Sequence, residues 1–152
     1  MPSSTPRATP KRSGWTARPV GDGATFYGGD DGLITLAAMA AVTSSIELKT
    51  SVYLLPLRHP VPVALQCAQI DQLSMGRLVL GIGIGGEDPH EFTSCGVDPR
   101  TRGARANEAL EILRRLWTED GVSFTGRALP ARRGEREPEA HPARAHVRRR
   151  PQ

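Results

Sequence analysis

Aromatic residues make up only 5% of this 152-residue chain, cysteine occurs twice, and no apolar run approaches the length of a membrane span. Each scarcity excludes something. With three Phe, two Trp and two Tyr, a core has to be assembled from Leu, Ile, Val and Ala, although the length suffices for one domain with a real core. A spanning helix needs about 20 consecutive apolar residues, and no basic-then-apolar leader opens the sequence. A soluble cytoplasmic protein with no membrane partner is the expectation. Cys67 and Cys95 make neither a C-x-x-C pair nor a Cys/His cluster. That argues against a zinc site, and for two buried free thiols in a reducing compartment rather than one disulfide.

Acidic residues are missing from the first 20 positions, where Arg7, Lys11, Arg12 and Arg18 give +4. Residues 21–130 sum to −4, and residues 131–152 return to +4 through seven arginines against Glu135, Glu137 and Glu139. The overall charge of +4 therefore sits at the two ends. A basic groove on a folded domain is not what this pattern describes, and it argues against a nucleic-acid partner, except through arginine-rich tails acting by counterion release. Residues 1–29 are rich in Ser, Thr, Pro, Gly and Arg, and residues 131–152 offer only Ala and a single Val as apolar content. Both ends are expected to be disordered, leaving 30–130 as the folded domain.

Within 30–130 the periodicities are clear. Asp30 and Asp31 can cap a helix with Leu33, Leu36, Ala37, Ala40 and Ala41 on one face. The run IELKTSVYLLP (46–56) reads as a strand without a recognisable partner strand before it in residues 1–29. Pro60 and Pro62 suit a first helical turn, and Val63, Cys67, Ile70 and Leu73 follow at helical spacing up to a turn at Ser74-Met75-Gly76. A strand RLVLGIGIG (77–85), a short helix over 88–95 and a long helix over 102–117 come next. The long helix aligns Ala106, Ala109, Leu110, Leu113, Leu116 and Trp117, with Glu111 and Arg115 paired on its other side. VSFTG (122–126) reads as a short strand. Strand 46–55, helix 62–74 and strand 77–85 make one strand–helix–strand unit of the right crossover length for parallel neighbours, so the fold class is α/β.

Gly81 to Gly86 spell G-x-G-x-x-G after an apolar run, which is the spelling of a dinucleotide loop. That reading also requires a helix starting inside the motif and an acidic residue about 20 residues further on. Asp88-Pro89 interrupts the first, and the basic start of a helix after 101 replaces the second. Alternation accounts for the glycines better. In a strand, Leu78, Leu80, Ile82 and Ile84 point one way, while Val79, Gly81, Gly83 and Gly85 point the other. A strand bared by glycine lets something approach closely. A bulky neighbour inside a small barrel and a flat cofactor ring are both compatible with it. Parallel α/β proteins place ligands at the C-terminal ends of their strands. Those ends carry Ser51, Tyr53, Leu54 and Arg58-His59-Pro60 on one side, and Glu87, Asp88, His90 and Glu91 on the other.

The stretch LKTSVYLLPLRHPVPVALQCAQIDQLSMGRLVLGIGIGGEDPHEF, followed by RGARANEALEILRRLWTEDGVSFTGR, resembles the bacterial luciferase-like monooxygenase family from about Asp31 to Arg127. The resemblance implies a partial TIM (β/α)8 barrel and a flavin- or coenzyme F-420-dependent oxidoreductase, acting as monooxygenase or dehydrogenase on a small-molecule substrate. The cofactor, FMN or coenzyme F-420, would lie at the C-terminal strand ends. Ser51-Val52 falls where these enzymes often carry a non-prolyl cis peptide, Leu54 lies near the ring system, and Ile84 and Gly85 match a second cofactor contact. His90 falls where some members hold a polar side chain to the cofactor, and Glu87 lies close to a position that is acidic and catalytic in some F-420 members. Arg102 and Arg105 could grip a phosphate or form an exposed helix face. A whole barrel takes about 250 residues, so the chain corresponds to roughly the second to fourth strand–helix units, as a truncated gene product or partial gene model would. A non-catalytic remnant is therefore the competing expectation, either a homo-oligomer or a chain whose open sheet edges are covered by a partner.

Overall fold

Parallel pairing organises the chain from its first described residues. The computed structural model describes residues 17–24 and 30–129. The expected disordered segments 1–29 and 131–152 lie outside these apart from 17–24, where the expectation is corrected. Strand β1 (Ala17–Val20) pairs in parallel with β2 (Glu47–Thr50), which pairs in parallel with β4 (Leu78–Val79). A second parallel pair, β3 (Tyr53–Leu54) with β5 (Ile82–Gly83), continues the same two chain paths. A partner strand for residues 46–56 thus exists within 1–29. Its four residues, ARPV, contain one Val and no alternation long enough to signal it.

Each of the two expected long strands is broken once. The peptide Ser51–Val52 is cis and separates β2 from β3, while Leu80 and Gly81 separate β4 from β5. Thr50, fully buried, bridges the interruption. Its hydroxyl donates to the Gly81 carbonyl (2.8 Å) and accepts from the Gly81 N–H (2.9 Å), and the Tyr53 N–H reaches the same carbonyl at 2.7 Å. A side chain therefore takes the ladder positions that the backbone leaves.

Two helices pack on one face of this sheet, and a third packs on the second of them through the shared core. Helix α1 (Gly32–Val42) starts because the Asp31 carboxylate accepts from the Leu33 and Ile34 N–H groups at 2.9 and 3.1 Å. It buries Leu33, Leu36 and Ala40, whereas Ala41 is exposed. Helix α2 (Pro60–Leu73) has Pro in its first turn and His59 as N-cap. It buries Val63, Ala64, Cys67, Ala68 and Ile70, but Leu73 projects outward. After it, Met75 and Gly76 adopt positive φ (56° and 79°) to turn the chain into β4. Arg77 locks that bottom end by donating to the carbonyls of Ala40, Thr43, Ile46 and Ser74, satisfying the last carbonyls of α1.

Helix α3 (Pro89–Ser94) is a short element capped by Asp88. The last helix, α4 (Arg102–Thr118), buries Ala106, Ala109, Ile112, Leu113 and Leu116. Spacings of three and four from Ala109 turn Ile112 inward and Leu110 outward, so Leu110 leaves the expected stripe. The Trp117 indole donates to the Ala64 carbonyl at 3.1 Å and fastens α4 to α2. The expected Glu111–Arg115 pair is replaced by Glu111–Arg114 and Arg115–Glu119, because Arg115 is drawn toward the Ser123 carbonyl. VSFTG is not a strand. Past it, the Glu108 carboxylate accepts the N–H groups of Arg127, Ala128 and Leu129. What desolvation adds to its pKa is outweighed by these three amides, helped by Arg105, and the carboxyl is held below its ordinary value.

One core cluster joins Leu33, Leu36, Leu48, Tyr53, Leu55, Val63, Cys67, Ile70, Leu113 and Leu116. The class is α/β with parallel strands, as expected, but the described strands do not close into a barrel. The opposite sheet face carries the row Pro19, Lys49 and Val79. The two cysteines differ, against expectation: Cys67 is buried in the core and Cys95 is exposed after α3. Burial, followed by nearby Asp71, pushes the Cys67 thiol up to about 12. A disulfide-exchange reagent at pH 8 is therefore expected to titrate one thiol in the native chain and two after denaturation; two rapidly reacting thiols in the native state would contradict this packing.

Candidate active site

The C-terminal ends of β3 and β5 meet at the glycine-bearing strand, and the structure shows what the glycines admit. A Cβ on Gly81 would run into the Thr50 carbonyl oxygen, and one on Gly83 into the Val52 side chain. A Cβ on Gly85 would sit 3.1 Å from the Phe92 ring and 3.4 Å from Leu54. The space beside each of these glycines is taken by other residues of the same chain. The glycines accommodate the close approach of the β2–β3 segment and of Phe92.

Exposed apolar surface remains beside that packing. Val52 is 42% exposed and Ile84 51% exposed, and β3 and β5 are held in register by Tyr53 opposite Ile82 and Leu54 opposite Gly83. Ser51 is exposed, with its N–H given to the Val20 carbonyl at 2.8 Å. Ile84 was expected on the same face as Leu78, Leu80 and Ile82. Those three pack against the core and Ile84 does not, because the chain leaves the strand there: Gly85 and Gly86 have φ of 62° and 124°. Leu54 is buried with Leu57, Phe92 and Val97, behind the exposed Val52 and Ile84. Glu87 and His90 are exposed on the segment after β5. They share the strand-end side of the sheet but stand outside the Val52–Leu54–Gly85 packing.

Several polar residues singled out from sequence have structural roles. His59 accepts from the Val61 N–H at 3.4 Å, and burial, then Arg105, lowers its pKa, which keeps it a neutral cap. Arg105 donates to the carbonyls of Pro56 and Ala128. Glu91 stands in the first turn of α3, where it is buried and accepts from the Ala24 N–H at 2.7 Å. Arg102 differs from these. Its guanidinium packs on Gly86, Nη1 donates to the Pro99 carbonyl at 2.9 Å, and Nε is buried with no partner among the described residues. An orphaned guanidinium N–H next to a glycine loop is a donor suited to an anionic group.

Sequence reasoning missed Asp22, which lies in the stretch taken as disordered. Its carboxylate, fully enclosed, accepts from the N–H groups of Gly32 (3.2 Å) and Leu54 (2.8 Å) and grips the Arg58 guanidinium at 2.7 and 2.8 Å. Arg58 also lies 4.4 Å from the Tyr53 ring centroid and reaches Asp31 at 3.4 Å. Burial raises the Tyr53 phenol's pKa, against the pull of Arg58. The available signal was a β-branched residue followed by Gly21-Asp22-Gly23, the spelling of a strand end and turn. Beside this network lies a cleft of about 270 Å³ lined by Asp31, Tyr53, Arg58, His59, Pro62, Val63 and Gln66.

Parallel strands joined by helices, with an exposed apolar and polar cluster at the strand C-termini, define the class as α/β with part of a parallel (β/α) arrangement. A family model described as luciferase-like monooxygenase matches residues 13–151, and the chain belongs to that family. The match extends beyond the 31–127 expected from the motifs. An uncharacterised protein of Mycobacterium tuberculosis is 39% identical over 97 residues, covering 63% of this chain and 34% of that protein. An F420-dependent glucose-6-phosphate dehydrogenase of Kineococcus radiotolerans is 41% identical over 98 residues, 62% of this chain and 28% of that enzyme. Among solved structures, the monooxygenase RslO1 from Streptomyces bottropensis superposes with a TM-score of 0.66 at 33% identity, covering 71% of this chain and 33% of its own. The oxygenating constituent of 3,6-diketocamphane monooxygenase from Pseudomonas putida, solved with FMN, shares the fold with a TM-score of 0.68 at 23% identity. The chain thus spans about a third or less of the length of the proteins it matches. No helix among the described residues is long and apolar enough to cross a membrane.

Proposed function

We propose that this chain carries a cofactor face of a luciferase-like oxidoreductase, binding FMN or coenzyme F-420 and serving hydride transfer or oxygen activation on a small organic substrate. The observation that carries the reading is the exposed apolar wall of Val52 and Ile84 at the carboxyl ends of two paired strands, backed by Leu54 and Gly85. A flat ring system needs such a wall, and Val52 and Ile84 fit that requirement; Ser51 and His90 offer polar contacts at its border. The partnerless Nε of Arg102 beside Gly86 suits an anionic part of the same cofactor. The bound group would supply the redox chemistry; the chain's residues orient it and shield one face from water. Glu87, exposed just past Gly86, is the proposed catalytic carboxylate.

Titration of the full chain with FMN and with reduced coenzyme F-420, followed by fluorescence, tests this. Saturable binding of at least one is expected. Ile84→Arg, at a side chain already half exposed, is expected to weaken that binding roughly tenfold or more, the equivalent of about 1.4 kcal/mol. A folded sample that binds neither overturns the reading.

A second reading has its own observation. Among the described residues β1 and β4 each pair on one side only, and Lys49 and Val79 face outward from the sheet. Exposed edges of this kind are normally covered, by a second copy or a partner chain that would complete the barrel. Sedimentation of the same sample reports it: a monomer that binds cofactor removes the need for such a partner.

A further inference from the structure

The end of β1 contributes no residue to the wall described above, yet two buried carboxylates converge on the segment that follows it. Asp22 fixes the Leu54 N–H, the Gly32 N–H and Arg58 at once. Glu91, from α3, is buried and fixes the Ala24 N–H two residues further on. Residues 22–24 therefore form a link whose one end holds β3 and whose other end holds α3. Leu54, on β3, packs against Gly85 and Phe92; Phe92, on α3, sits two residues from His90. The distance between the two halves of the site is set by this link as well as by the β3–β5 pairing.

We infer that Asp22 and Glu91 are positioning residues, a two-carboxylate brace that holds the Leu54 and His90 sides of the cofactor wall at a fixed spacing. The inference rests on the cofactor reading above. Buried carboxylates accepting main-chain N–H groups make short, directional bonds, and a guanidinium held in two-point contact with one of them resists rotation. Elements so fixed keep their spacing without a ligand, which lowers the ordering cost of binding.

Asp22→Asn and Glu91→Gln keep the shape and one acceptor oxygen but lose the charge. In the cofactor-free full chain, Asp22→Asn is expected to speed amide hydrogen exchange at Leu54. In the titrations it is expected to weaken FMN or coenzyme F-420 binding roughly tenfold, the scale of one charge-assisted hydrogen bond, and to alter the absorption band shape of the bound ring. Glu91→Gln is expected to weaken binding by a smaller factor in the same direction. Leu113→Ala, in the core cluster on α4, serves as the control. It lowers stability at least as much but is expected to leave affinity within about twofold, at a temperature where it remains folded. Wild-type binding with unchanged affinity and spectrum in Asp22→Asn overturns the brace alone. Equal loss in Leu113→Ala also overturns it, since general loosening would then explain the effect. Failure of the wild type to bind either cofactor overturns the underlying reading and the brace with it.

Discussion

Gly81→Ala is expected to prevent stable folding, and no single second substitution is expected to restore it. The added methyl would meet the Thr50 carbonyl oxygen, a backbone atom at the point where the Thr50 hydroxyl joins β2 to the break between β4 and β5. Neither side can yield without breaking both hydroxyl bonds and the Tyr53–Gly81 bond. An overpacked core usually costs about 1–3 kcal/mol because side chains shift. Here no side chain is available to shift, and three hydrogen bonds at about 1 kcal/mol each are lost besides. Set against a typical total stability of about 5–15 kcal/mol, this is enough to unfold a marginal domain. Gly83→Ala provides the contrast. Its methyl would meet a methyl of the partly exposed Val52, which can turn away, and would lie 3.0 Å from the Val52 Cβ, which can give only by a small backbone shift. A loss of about 1–2 kcal/mol is expected, recovered in part in Gly83→Ala/Val52→Ala. Urea unfolding of the three variants measures the difference. Equal losses for Gly81→Ala and Gly83→Ala would show that the Thr50–Gly81 junction is not the rigid element argued for here.

The same junction explains why the glycine strand was only half legible. Alternation in GIGIG correctly showed one apolar and one bare face, and the resemblance implied the Ser51–Val52 cis peptide that the structure contains. What fills the bare face depends on where Thr50 and Val52 fall across the sheet. That is a matter of register between residues some 30 positions apart, which no local pattern encodes. The helices were legible because their starts and periodicities are local: Asp31 caps α1 as expected and Pro60 opens α2, while the caps made by His59 and Asp88 were not read from the sequence. Strand β1 was not, since four residues with one Val lie below any periodic signal and its pairing supplies the order instead. Asp22 was lost along with it. A lone acid in a Gly-rich stretch reads as solvated, and only tertiary contact with Arg58 and Leu54 makes it a buried anchor. Expecting Leu110 or Leu73 in the core failed for a simpler reason: an amphipathic stripe has a width, and residues at its border go either way.

Arg58→Met is expected to destabilise the chain more than Asp22→Asn, although each removes one member of the same pair. The two partners are unequally placed: the Asp22 side chain is fully enclosed, whereas that of Arg58 is 21% exposed and has Asp31 within 3.4 Å. Removing Arg58 leaves a buried carboxylate with only the Gly32 and Leu54 amides, and breaking a buried pair in this way costs about 3–5 kcal/mol. Loss of the guanidinium stacked on Tyr53 adds about 0.5–1 kcal/mol. Removing the charge of Asp22 instead leaves a guanidinium that still meets water and a second carboxylate, so about 1–2 kcal/mol is expected. The double variant Asp22→Asn/Arg58→Met should then be more stable than Arg58→Met alone, because no buried charge is left without its counter-ion. Thermal and urea unfolding of the four proteins give the coupling directly. Additive losses would mean that water reaches Asp22 from the strand-end side, and that the enclosure separating β1, β3 and α1 from solvent is incomplete. A double variant less stable than Arg58→Met would locate the main role of Asp22 in its two amide bonds. It would then act as a cap joining Gly32 to Leu54, with Arg58 as a secondary contact.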